Sequence, residues 1–281
     1  MLELSLGIVA IIITCAFLFE YVDSTLGMGY GTTLTPVLLI LGFKPLQIVP
    51  VVLLSELITG LLAAFFHHRA GNVNLKPKTI DLSIIIGELK SIGFINSLRR
   101  GFPRHLKIAL LLAILSVVGT VAAVFVAINI PKFWLNLYIG CIVFSMGIII
   151  IITMNKTYAF SKRKIAALGL IASFNKGISG GGYGPIVTGG QILSGIEAKS
   201  AIGITSLAEG LTCAVGIITY FLASKNPIDW RLTPYVILGA VLSVPFSAVS
   251  VKKIQTKKLK LTVAVLTIIL GAITLIKTFK P

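Results

Sequence analysis

Apolar residues run through this chain in long unbroken stretches, not in the short alternation of strands or the narrow stripe of a surface helix. Ile108–Ile128, Leu135–Thr153, Ala198–Leu222 and Leu259–Ile276 approach or reach the ~20 residues a helix needs to cross a bilayer. Gln47–Phe66 and Thr233–Val251 have the same character, and Ile165–Phe174 is a shorter apolar run. Leu4–Phe19 has no basic stretch before it and no small-residue cleavage pattern after it, so it reads as a retained helix. The pattern predicts an all-α, polytopic membrane protein.

Two shorter segments, Thr32–Leu41 and Pro185–Ser194, break this rhythm. At ~1.5 Å per residue, ten helical residues span about half of a ~30 Å hydrocarbon core. They are expected to be half-helices that start inside the membrane. Each follows a glycine-rich stretch, Gly27-Met28-Gly29-Tyr30-Gly31 or Gly180-Gly181-Gly182-Tyr183-Gly184. A shift of 153 lays Gly27, Gly29, Tyr30 and Gly31 on Gly180, Gly182, Tyr183 and Gly184. The same ungapped register lays Thr35 on Thr188, Gly42 on Gly195, Leu54 on Leu207 and Glu56 on Glu209. This is an internal duplication.

Further along, Leu115-Ser116-Val117 matches Leu242-Ser243-Val244 at a shift of 127. The difference, 153 − 127, places 26 extra residues in the first half, around 76–103. The two halves are thus 1–155, with this insert, and 156–281. The insert mixes apolar and basic residues and is expected to form an amphipathic helix on the bilayer surface.

Only 12% of the residues are charged, against about 25% in soluble domains. The net charge of +16 does not point to nucleic acid, because of where it sits. Of 25 Lys and Arg, 8 lie in Arg69–Lys107, 4 in Lys156–Lys164 and 5 in Lys252–Lys260. Seventeen of them therefore flank apolar spans, and the positive-inside bias makes those three loops cytoplasmic. The expected location is the plasma membrane, in direct contact with lipid. Fixing the loops inside makes the Glu56 and Glu209 helices cross in opposite directions. With the half-helices counted as crossings, each half has five segments and the repeats are inverted, as in many secondary transporters. Without them, each has four and the repeats are parallel.

Non-helical backbone at membrane depth is tolerated only beside protein or a water-filled cavity. The broken stretches Gly27–Gly31 and Gly177–Gly184 would aim free N–H groups and helix dipoles at the bilayer centre, an arrangement suited to an anion. Pro185 suits the first turn of its half-helix, and Thr32 and Thr33 a similar start in the other. The competing reading is close helix packing through small residues. The candidate substrate contacts are Gly27, Gly29, Tyr30, Gly31, Lys176, Gly180, Gly181, Gly182, Tyr183 and Gly184. Glu56 and Glu209 sit near the middle of their helices, where a charge costs ~2.5–3.5 kcal/mol or more and normally meets a cavity or partner. With Asp23 they are candidate proton-binding groups. Asp23 and Lys176 are equivalent at the 153 shift, and are expected to pair, to share an anion, or to snorkel to water.

His67, His68 and Arg69 read as a solvated helix end, and Cys15, Cys141 and Cys213 as small apolar packing residues. No nucleophile–base arrangement, phosphate-binding loop or metal-spaced cluster stands out, so neither an enzyme nor a cofactor is expected.

These motifs resemble the sulfite exporter TauE/SafE family. The likeness rests on Gly27–Gly31 with Pro36, Gly42-Phe43-Lys44-Pro45 and Gln47–Phe66 in the first half. The second half answers with Gly180–Gly184, Pro185, Gly195-Ile196-Glu197-Ala198 and Ser200–Leu222, and Gly71-Asn72-Val73-Asn74 resembles a further family segment. The resemblance implies a transporter, usually outward, of small sulfur-containing anions such as sulfite or organosulfonates. The glutamate pair is no part of that implication. Two other readings stay open: a cation carrier using the membrane carboxylates, and a non-transporting assembly factor.

Overall fold

A computed structural model describes residues 5–77, 102–153, 162–193, 196–251 and 256–279, nearly all of them helical. The helices are α1 (Leu6–Leu26), α2 (Tyr30–Ile40), α3 (Pro45–Arg69), α4 (Arg104–Asn129), α5 (Lys132–Thr153), α6 (Lys162–Ser179), α7 (Tyr183–Leu193), α8 (Ala198–Ala223), α9 (Thr233–Ser250) and α10 (Thr256–Phe279). Six of them, α1, α3, α4, α5, α8 and α9, are long and apolar enough to cross a bilayer. Exposed Leu, Ile, Val and Phe side chains cover the outside, as lipid requires. The surface helix expected within 76–103 lies largely outside the described residues, as do Ser194 and Gly195.

The short segments are the 11-residue helices α2 and α7. The helix breaks are narrower than their glycine content suggests. Helix α1 stops at Leu26, with Gly27 left-handed at φ 69°, and α2 resumes at Tyr30. Helix α6 stops at Ser179, and Gly180 and Gly182 have φ of 72° and 79° before α7 begins at Tyr183. A side chain at Gly27 or Gly180 would be strained by that backbone alone. Gly31, Gly177 and Gly184 lie inside helices instead. Thr32 and Thr33 do not start α2: Gly29 is its N-cap, and both hydroxyls donate back to the Gly29 carbonyl. Pro185 does stand in the first turn of α7. Helix α1 outruns its apolar pattern by seven residues, because Glu20, Ser24 and Thr25 are buried inside the protein.

The packing partners exchange between the halves. Helix α1 lies along α9, α6 lies along α4, α3 crosses α8, and α5 pairs with α10. The 153 shift turns α1 into α6 and the 127 shift turns α4 into α9. The first helix of each half thus rests on the fourth of the other.

The two glycine loops cross backbone to backbone. A Cβ on Gly31 would fall on the Gly180 carbonyl, and one on Gly184 on the Gly27 carbonyl. The Thr188 hydroxyl donates to the Gly27 carbonyl at 2.7 Å, while Thr35, its counterpart, stands against Gly180. The backbone approaches and the placing of the two threonines are matched at the 153 shift, but the hydrogen bond is not: Thr35 Oγ1 is buried without a partner. The glycines therefore serve close packing, and the loops leave no open space where they cross.

Overpacking at such a crossing costs about 1–3 kcal/mol or more. Gly184→Ala and Gly31→Ala are each expected to lower the melting temperature of the detergent-solubilised protein. Gly189→Ala, where a Cβ would meet nothing within 4 Å, should leave it unchanged. Equal melting of all three would contradict the crossing.

Candidate functional site

Helices α3 and α8 are the most buried of the six long helices. They approach closely because each offers a glycine at the crossing: a Cβ on Gly60 would meet the Ser206 carbonyl oxygen at 2.8 Å and the Gly210 Cα at 3.0 Å. This brings Glu56 and Glu209 to the same place. The break after Ser179 places Lys176, in the last turn of α6, beside them. The Lys176 ammonium donates to Glu209 Oε1 at 2.7 Å and is ion-paired with Glu56 Oε2. All three side chains are buried, with Lys176 only 1% exposed. Two carboxylates sharing one ammonium leave the cluster one negative charge in excess unless a proton joins them.

Lys176 therefore neither pairs with Asp23 nor snorkels to water. Asp23, at the end of α1, accepts the Tyr30 N–H through Oδ1 at 3.2 Å. It occupies the start of α2, where a carboxylate complements the helix dipole. In the second loop, Gly181 N–H is taken by Ser179 Oγ at 3.1 Å. The Tyr30 hydroxyl meets Ser55 Oγ at 2.8 Å, and both Tyr30 and Tyr183 are fully buried. Cys213, expected as plain packing, points its thiol at Glu56 Oε2, 3.8 Å away.

The sequence reading missed Glu20. It is buried, accepts the Ser24 hydroxyl at 2.6 Å through Oε1, and leaves Oε2 unpartnered. Its spacing from Asp23, three residues on one helix face, was the available signal. Glu20, Asp23, Glu56 and Glu209 line a cleft with Thr59 and Ser206. The cavity within it is about 10 Å³, room for a single water molecule. Among the described residues, no three His, Cys, Asp or Glu side chains are arranged to hold a metal ion.

His67 also departs from expectation. It is fully buried, with Nε2 at 2.7 Å from the Ser24 carbonyl and Nδ1 accepting from Asn72 Nδ2 at 3.0 Å. Asn72 Nδ2 donates as well to the Ala248 carbonyl, and the Ser200 hydroxyl donates to the Asn72 carbonyl. This knot ties α1, α3, α8 and α9 together at one end of the cleft. His68 Nδ1 lies 3.1 Å from the Val73 carbonyl.

Removing one member of a buried ionic group leaves the others uncompensated, at a cost of about 3–5 kcal/mol. Lys176→Met is expected to melt far earlier than the wild type at pH 8. Combining it with Glu56→Gln and Glu209→Gln removes the charges left without a partner and should restore stability. Thermal melting in detergent checks this, and a Lys176→Met protein as stable as wild type at pH 8 would contradict the shared ion pair.

The sequence matches the family model described as sulfite exporter TauE/SafE over residues 12–89 and 79–274. The probable membrane transporter protein YtnM of Bacillus subtilis (strain 168) is 27% identical over 273 residues, covering 92% of this chain and 80% of the relative. No solved structure matches. A bundle with six membrane-length helices and a match along nearly its whole length lead to one conclusion: this chain belongs to the TauE/SafE family of multi-pass membrane transporters.

Proposed function

We propose that this transporter exports small sulfur-containing anions, sulfite or organosulfonates, across the plasma membrane by alternating access, with the anion taking the place of Glu56 and Glu209 at the Lys176 ammonium. The observation that carries this is a buried lysine, Lys176, held by two carboxylates beside the loop crossing. An oxyanion and a carboxylate compete for the same donors. Proton uptake by Glu56 and Glu209 releases the ammonium, so anion affinity rises as pH falls. Linkage makes the converse equally true: a bound anion favours proton uptake. Asp23, beside the same cleft, is the third proton-binding group.

The two loops are packed together in this closed arrangement; opening would part them and make Gly27, Gly29, Tyr30 and Gly31 in one, and Gly180, Gly181, Gly182, Tyr183 and Gly184 in the other, the walls of the site. The 10 Å³ cavity fits a closed state between the two access states. Inverted repeats of five segments, one spanning 1–155 and the other 156–281, are supported by the exchange of helix partners between the halves. Export has a ready driving force, since an inside-negative potential moves an anion outward with ~2.3 kcal/mol per charge per 100 mV. Cation carriage is the second reading, favoured by the four carboxyl side chains that line the cleft, three of them buried.

Flux in proteoliposomes separates them. An organosulfonate keeps its charge over the working pH range, so any pH effect belongs to the protein. Its flux is expected to rise as pH falls, and Glu56→Gln/Glu209→Gln should keep flux but lose that dependence. Metal-ion uptake with no sulfonate or sulfite flux would establish the cation carrier. Absence of any flux would leave the assembly factor.

A further inference from the structure

The central cleft is too small for an anion, but a much larger cavity lies elsewhere. It has a volume of about 470 Å³, within the usual range of small-molecule sites, and sits between the end of α2, the start of α5 and the last turn of α10. From the loop crossing it is one half-helix away, 11 residues or about 16 Å along α2. Exposed Phe133, Trp134 and Phe279 stack edge to face around it, as aromatic side chains do at a membrane–water boundary.

Its lining is unlike a lipid-filled crevice. Leu39, Ile40, Phe43 and Phe133 give apolar walls, and Lys132 and Lys277 bring two ammonium groups. Neither lysine has a carboxylate partner among the described residues. Lys277 Nζ donates only to the Ile40 carbonyl, at 3.1 Å. Asn136 also lines the cavity, and its amide oxygen is buried and has no hydrogen-bond partner. An unpaired buried acceptor costs about 1–3 kcal/mol and calls for a donor.

We infer that this cavity is a vestibule site for an oxyanion that also carries an O–H or N–H group: the anion sits between Lys132 and Lys277, and its donor reaches Asn136 Oδ1. Two sources share that chemistry, a hydroxy- or aminosulfonate from solution and the headgroup of a phospholipid. The site is separate from the Lys176 cluster. Only the choice of a sulfonate as the soluble source rests on the anion reading above.

The test is calorimetric titration of the purified protein with 2-hydroxyethanesulfonate and with ethanesulfonate, which lacks the hydroxyl. The wild type should bind the hydroxy compound about ten-fold tighter, the scale of one hydrogen bond to a buried group. Asn136→Leu should erase the preference, and Lys132→Gln/Lys277→Gln should weaken both compounds at least ten-fold. Both lysines are exposed, so these variants should fold, and their melting curves check it. A tightly held phospholipid that survives purification, blocks the titration and is lost from the double-lysine variant would identify the headgroup as the occupant. Equal titrations of wild type and double variant, with equal retained lipid, would overturn the site. That result would leave the central reading standing if flux persists. Absent flux with a lysine-dependent titration would remove the central reading and leave the vestibule.

Discussion

One ammonium shared by two carboxylates constrains the middle of this protein. Taking three charges out of water is costly, and the cost is offset only when partners and hydrogen bonds are held in place. Lys176, Glu56 and Glu209 come from three helices, so three helices must stay in register for any one of them to be tolerated. The glycines Gly60 and Gly210 allow α3 and α8 close enough for that. The end of α6 just beyond Lys176 supplies the third side, with the lysine in the last turn where a cation suits the helix dipole.

The duplication shows how one backbone plan hosts unlike chemistry. The loop contacts obey the 153 shift, down to Thr188 on Gly27 and Thr35 on Gly180. The side chains just before each break do not. Asp23 ends α1 and reaches forward to the amide that opens α2, whereas Lys176 turns instead toward the carboxylates of α3 and α8. Opposite charges at equivalent positions thus settle different needs. Neither residue needs the other as a partner.

Closure at the centre and openness near the edge belong to one picture of transport. The cleft with four carboxyls holds room for a single water molecule, and the loops above it meet backbone to backbone. Space for a solute lies about half a membrane away, at the far end of the half-helix that starts in the first loop. Movement of α2 relative to α5 and α10 would alter both places together, since Lys277 is tied to the last carbonyl of α2.

The amino-acid order alone determined the membrane class, the positions of the long helices, the two half-helices and the duplication. Apolar length and repeated motifs are local properties, and lipid gives the chain few alternatives for its backbone. Glu56, Glu209, Asp23 and Lys176 were likewise conspicuous, because a charge inside an apolar run stands out wherever its partners are. Their grouping was not readable. Lys176 was expected to pair with Asp23, to meet an anion or to snorkel to water, yet it meets two glutamates 120 and 33 positions away, a choice made by how α3, α6 and α8 pack. Glu20 passed unnoticed because it lies just past an apolar run, and His67 because a basic helix end reads as solvated. Only the tertiary structure decided which polar groups face each other, since hydropathy records the cost of burying a group and not the partner that offsets it.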